Sequence, residues 1–291
     1  MLVEVRSCRA RWERYESGMT NGIPVTLTIA GSDCSAGAGI QADLKTFQHF
    51  RVHGLTAVTC VVSETANIVR AVHPVPVDIV CDQIWLLMES FPVAAVKAGM
   101  LFSAAHVVAV AEILRIYPLV KLVVDPVMIA STGASLLEPD AVAAYRELLL
   151  PLARVITPNL PEAEVLLGEP IPDEASLESA ARRLSENFGT AVLLKGGHLE
   201  GPHCVDLLVD QGEVHRFSAA RIPVAGSHGT GCTLSAGIAA LLARGESLPL
   251  AVEIAKAYLG ETLSRSYSFQ SPAGGIVHAL NQGTTFGENG A

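Results

Sequence analysis

The segment Gly226-Ser227-His228-Gly229-Thr230-Gly231-Cys232-Thr233-Leu234-Ser235 has the composition of an anion-binding loop. Small, flexible residues run directly into an apolar stretch, which predicts a loop opening a helix. Glycines let successive backbone N–H groups point at one spot. The helix N-terminus adds partial positive charge, so an anion or an anionic transition state is favoured there. A thiol in that first turn, Cys232, is expected to have its pKa lowered toward the thiolate. A tight turn around a buried structural cysteine explains the same residues, and glycine-rich helix starts are common.

Three further segments carry usable chemistry. Gly31-Ser32-Asp33-Cys34-Ser35-Ala36-Gly37-Ala38-Gly39-Ile40-Gln41 is a second glycine-rich turn, with neither GxGxxG nor GxxxxGK[ST]. Its small residues would let a ligand approach the backbone, with Asp33 or Asp43 as hydrogen-bond acceptor. Asp125 precedes a proline, and Asn159-Leu160-Pro161-Glu162 opens a helix. Turn and capping chemistry suffices for each alone; two carboxylates at neighbouring strand ends would also suit a water-rich Mg²⁺. Lys195-Gly196-Gly197-His198 sets a cation beside glycines, as phosphate binding requires, although a solvated lysine needs no such role.

The elements that must position these residues follow from hydrophobic periodicity. Strands are predicted at Val25–Ala30, Thr56–Val62, Ala94–Lys97, Leu122–Val124, Arg154–Ile156 and Ala191–Lys195. Helices are predicted at Ala38–Phe50, Val77–Phe91, Ala104–Ile116, Pro139–Leu149 and Leu177–Asn187. Buried runs joined by amphipathic helices indicate an α/β fold, a mostly parallel sheet covered on both faces. Cys204–Val209 and Val214–Phe217 read as a hairpin across Asp210–Gly212. Two helices follow, from Thr230 to about Leu263, and the glycine-rich tail from Ser271 reads as a loop that closes over something or frays. The candidate residues then fall at the carboxyl ends of strands, where ligands of such sheets collect.

Composition narrows the role. Of 291 residues half are apolar, and the net charge of −9 disfavours an unaided nucleic-acid or membrane-surface role. No apolar run is long enough for a membrane span. Six scattered cysteines without CxxC suit a reduced, cytoplasmic setting. Residues 1–22 read as a disordered or extended arm, with Met19 a candidate true start, and residues 23–291 as one domain.

Taken together, seven blocks in order resemble the ribokinase-like family, and within it the hydroxymethylpyrimidine/phosphomethylpyrimidine kinases of thiamine biosynthesis. They are Leu27–Asp33, Gly37–Thr46, Lys97–Met100, Val123–Met128, Ile156–Glu164, Leu193–His198 and His228–Ala236. The resemblance implies a ribokinase-like three-layer sandwich that uses ATP and Mg²⁺ to phosphorylate 4-amino-5-hydroxymethyl-2-methylpyrimidine and its monophosphate. It assigns the anion hole to the amides of Gly229, Thr230 and Gly231, and the place of the usual aspartate base to Cys232. Lys195, Asn159 and Thr230 match positions on the nucleotide side, Asp125 and Glu162 positions that hold Mg²⁺. Gly31, Ala38, Asp43, Val62, Met100 and Val127 match pocket-lining positions, and a homodimer is implied. One departure stands out: Glu64 occupies the place of a glutamine that both accepts from and donates to the aminopyrimidine edge. A pyridoxal kinase is therefore the alternative, and a catalytically silent ligand-binding relative a more distant one.

Overall fold

Apolar runs without polar alternation must be covered on both faces, and the computed structural model of the protein does this with one sheet between two helical layers. Residues 22–128, 139–197, 199, 201–223 and 226–283 are described; the N-terminal arm to residue 21 and His198 lie outside them. The first half runs β1 (Val25–Asp33), α1 (Gly39–His49), β2 (His53–Thr65), β3 (Ile68–Pro74), α2 (Val77–Ser90), β4 (Val93–Ala98), α3 (Ala104–Leu114) and β5 (Lys121–Val124). Then come α4 (Pro139–Ala144), passing into a π-helical turn at Tyr145–Leu149, β6 (Val155–Ile156), α5 (Leu160–Leu167), α6 (Leu177–Phe188) and β7 (Ala191–Lys195). A hairpin of β8 (His203–Asp210) and β9 (Glu213–Ala220) precedes α7 (Thr230–Ala243) and α8 (Leu248–Ser264). The described chain closes with a small hairpin, β10 (Tyr267–Gln270) and β11 (Ile276–Ala279).

The large sheet has the order β3-β2-β1-β4-β5-β6-β7-β8-β9. Neighbours from β2 through β7 are parallel, whereas β3, β8 and β9 pair antiparallel at the two edges. Successive strand residues divide between the faces, as a period of two requires. Val124, Ile156 and Leu194 join the core under α2 to α6, while Val123, Val155 and Leu193 join the core under α1, α7 and α8.

The predicted strands and helices are all present, with shifted ends. β3 is an addition to the expected set, because its side chains are largely exposed on an edge and make no apolar run. The tail likewise contains β11, which pairs with β10 through a turn at residues 271–275. At the expected hairpin, Gln211 (φ 51°) and Gly212 (φ 85°) form the left-handed pair that matches strand twist. The carboxyl ends of β1, β4, β5, β6 and β7 face one edge, and a bridge between Asn159 and Lys195 extends the pairing there.

Candidate active site

The N-terminus of α7 lies over this edge. Gly229 caps it at φ 82°, and a Cβ there would stand 1.9 Å from Gly37 O, so only glycine permits the two glycine-rich loops to touch. Gly231 rests on the charges below: a Cβ would lie 3.3 Å from Asp125 Oδ2 and 3.5 Å from Lys195 Nζ. Thr230 N–H closes a turn onto Ser227 O at 3.2 Å. Gly229, Thr230, Gly231 and Cys232 are thus brought together with Asp125 and Lys195, as their motifs suggest.

The Cys232 thiol corrects a simple expectation. Burial pushes it up to about 11; nearby Lys97 and an N–H from Gly39 pull it down, while Asp43 and Asp125 push it further up. Desolvation of a thiolate outweighs Lys97 and the Gly39 N–H here, which favours the protonated thiol at neutral pH.

Below Cys232 lies a pair that the sequence does not announce. Lys97 Nζ meets both oxygens of Asp43, at 3.0 and 2.8 Å, and both side chains are 0% exposed. Thr28 Oγ1 donates to Asp43 Oδ2 at 2.6 Å. Asp43, a pocket-lining position in the resemblance, has both oxygens engaged by Lys97 and Thr28, so it also serves to hold Lys97. Burial favours neutral Lys97, but Asp43 outweighs it and keeps the ammonium charged.

The carboxylates at the ends of β5 and in α5 form the third group. Asp125 accepts from Lys195 Nζ (3.0 Å), Thr157 Oγ1 (3.2 Å) and Ser235 Oγ (3.2 Å). Burial would raise its pKa, but Lys195 and Lys97 hold it low. Asn159 and Glu162 exchange bonds: Glu162 N–H donates to Asn159 Oδ1 at 2.9 Å, and Asn159 N–H to Glu162 Oε2 at 2.8 Å. That is a capping box, so the local reading of this motif holds alongside any other role. Glu162 is pushed up to about 7, first by burial and then against the pull of Lys195, with Asp125 adding to the rise. Two buried carboxylates share one lysine, and a divalent cation with oxygen ligands fits the charge left over. Among the described residues no cluster of three or more His, Cys, Asp or Glu forms a protein-only metal cage.

The remaining pocket residues surround the β1–α1 loop. Gly31 and Val62 are buried, whereas Ala38, Glu64, Met100 and Val127 are half-buried around them. Burial raises the Glu64 pKa, Asp33 raises it further, and His228 opposes them. Asp33 serves its own loop: it accepts from the N–H groups of Ser35 (2.7 Å), Gly37 (3.0 Å) and Ala38 (2.8 Å). It also holds His228 Nε2 at 2.9 Å, which ties the loop to the α7 loop. In the sequence His228 and Lys97 stand out only as members of the blocks that resemble the family, because their partners are 195 and 54 residues away.

Burial pushes the Asp33 carboxyl up, but bonds from His228, Ser35 and Ala38 outweigh it, and the value falls from 3.8 to about 2. Such a group stabilises the fold above about pH 4 and loses that contribution as pH falls toward about 2. In urea titrations across that range, Asp33→Asn is expected to flatten the acid loss of stability; an unchanged slope would remove Asp33 as its source.

Comparison with known proteins agrees with this geometry. The family model described as phosphomethylpyrimidine kinase matches residues 33–277. The hydroxymethylpyrimidine/phosphomethylpyrimidine kinase of Rhizobium meliloti is 45% identical over 260 residues, covering 89% of this chain and 97% of that protein. The bifunctional thiamine biosynthesis protein ThiED of Geobacter sulfurreducens is 44% identical over 254 residues, 87% of this chain; the chain spans about half, 52%, of that relative's length. Among solved structures, the Staphylococcus aureus pyridoxal kinase in complex with AMP-PCP and pyridoxal superposes with a TM-score of 0.80 at 32% identity, covering 90% of this chain and 94% of that one.

Proposed function

The chain belongs to the phosphomethylpyrimidine kinase family, and from that premise we propose how its residues divide the work of phosphoryl transfer. The protein is a ribokinase-like phosphotransferase that uses ATP to phosphorylate 4-amino-5-hydroxymethyl-2-methylpyrimidine and its monophosphate in thiamine biosynthesis. The observation that carries the reading is the seat of Gly231 on Asp125 and Lys195, which puts amide donors, a cation and the Cys232 thiol at one edge.

The amides of Gly229 and Gly231 receive the transferring phosphoryl group, joined by that of Thr230 as it exchanges its 3.2 Å bond to Ser227 O for the phosphoryl oxygen. Lys195 binds the ATP phosphates with Asn159 and Thr230 beside it. Asp125 and Glu162 are the residues that would hold Mg²⁺, which when bound neutralises phosphate charge. The substrate ring lies against Gly31, Ala38, Val62, Glu64, Met100 and Val127. Phosphoryl transfer passes through a loose transition state, so placement and charge neutralisation matter most. Cys232 orients the hydroxymethyl oxygen, and its thiolate form takes the proton.

Glu64 can replace the family glutamine when protonated, because a neutral carboxyl both donates and accepts; its raised pKa favours that form. Glu64→Gln is expected to raise kcat/KM for the pyrimidine about tenfold, one hydrogen bond's worth, and to remove its decline as pH rises and Glu64 ionises. A loss of activity in that variant would instead mean that the carboxylate is adapted to another alcohol. Pyridoxal is the second candidate, supported by Glu64 and by the pyridoxal kinase neighbour. ATP consumption with product mass, for hydroxymethylpyrimidine, its monophosphate and pyridoxal in parallel, decides between them. Turnover of pyridoxal alone would overturn the pyrimidine assignment.

Two further parts of the reading concern setting. Among the described residues no helix is long and apolar enough to cross a membrane, and we place the enzyme in the cytoplasm with its ATP. A homodimer is proposed through the exposed apolar residues Val61 and Ile68 at the β2–β3 edge.

A further inference from the structure

Behind the α7 loop, hydrogen bonds lead to the last described residues of the chain. Gln282, 2% exposed, lies just beyond β11. Its Nε2 donates to Thr233 Oγ1 at 2.8 Å and faces Gly37 O at 3.5 Å. Gly37 offers only a carbonyl, and the Thr233 hydroxyl directs its own proton to Gly229 O at 2.8 Å. Both neighbours therefore accept, which fixes the NH₂ end of the amide toward them.

Gly229 O also accepts from Thr233 N–H at 2.9 Å. This carbonyl lies in the same peptide plane as Thr230 N–H, so holding one orients the other and the amides that follow. Gln282 is itself held from α8: Tyr258 OH donates to Gln282 O at 3.1 Å. Its Oε1 finds no partner among the described residues, a cost of burial that an apolar side chain of the same shape would avoid. The NH₂ group is what the position uses.

We propose that Gln282 is a positioning residue for phosphoryl transfer: through Thr233 it holds the Gly229 carbonyl, and with it the amides that receive the phosphoryl group. The inference rests on the anion-binding reading of residues 229–231 given above. Those amides act most strongly in the transition state, so loosening them lowers kcat rather than raising KM.

The test measures kcat, KM for ATP and for hydroxymethylpyrimidine, and thermal midpoints of the full chain. Gln282→Leu is expected to lower kcat about tenfold with both KM values within about twofold. Thr233→Ser keeps the hydroxyl relay and stays near wild type; Thr233→Val reproduces the loss, and its combination with Gln282→Leu is no worse than Thr233→Val alone. Full kcat in Gln282→Leu, a loss confined to KM, or losses that multiply in the pair would overturn the proposal. Amide hydrogen exchange gives a readout without substrate: Gln282→Leu is expected to speed exchange at residues 229–233, and an unchanged pattern overturns it. Failure of the wild type to phosphorylate any alcohol would sink the kinase reading separately.

Discussion

Replacing Cys232 by alanine is expected to lower kcat by about 10²–10⁴-fold, the usual worth of a positioned base, while ATP affinity is unchanged. The geometry separates these effects, because on the phosphate side Lys195 and Asp125 pair at 3.0 Å without the thiol. The protonation state sharpens the test. A thiol pushed up to about 11 is ionised in only about one molecule in 10⁴ at pH 7, and that fraction rises about tenfold per pH unit. Wild-type kcat should therefore climb from pH 7 toward pH 10, and the Cys232→Ala profile should lack that climb. Equilibrium ATP titration and pH-dependent turnover measure both. Near-normal turnover in Cys232→Ala would remove the thiol from its role.

The second large effect is on stability. Lys97→Met leaves the Asp43 carboxylate buried with only the Thr28 hydroxyl as partner. Removing one member of a buried ion pair costs about 3–5 kcal/mol, equivalent in a chain of this size to a Tm lower by roughly 10 °C. The neutral pair Asp43→Asn/Lys97→Met should recover most of that loss, because neither charge is then left unpaired. Calorimetry of the three proteins checks this. A single variant as stable as wild type would mean that Asp43 is protonated and the bond is an ordinary one. Lys97 also lies close enough to pull the Cys232 thiol down, so the recovered double variant isolates its effect on turnover.

Much of this protein can be read before it folds. The cores of β4, β5 and β7 are short runs without polar alternation, bounded by turn residues and alternating with helical patterns, which indicates interior strands of a covered sheet. The placing of Asp125, Asn159, Lys195 and the Gly229–Cys232 loop at strand ends and at helix starts is legible there as well. Local sequence determines these features because each depends on residues within one or two turns of chain. Glu64 belongs here too, since its departure from the family glutamine needs only the motif around it.

What tertiary structure decided depends on groups that meet across long separations. The exposed edge strand β3 has no apolar run of its own and is defined by pairing with β2. Asp43 has the same local setting whether it faces a ligand or Lys97, and only the register of α1 against β4 buries it on the lysine. His228 finds Asp33, and Gln282 finds Thr233, through contacts that no local pattern encodes. The Cys232 pKa is the clearest case. Its helix position argues for a lower value, yet burial, which exists only in the folded chain, costs the thiolate more than Lys97 and the Gly39 N–H return.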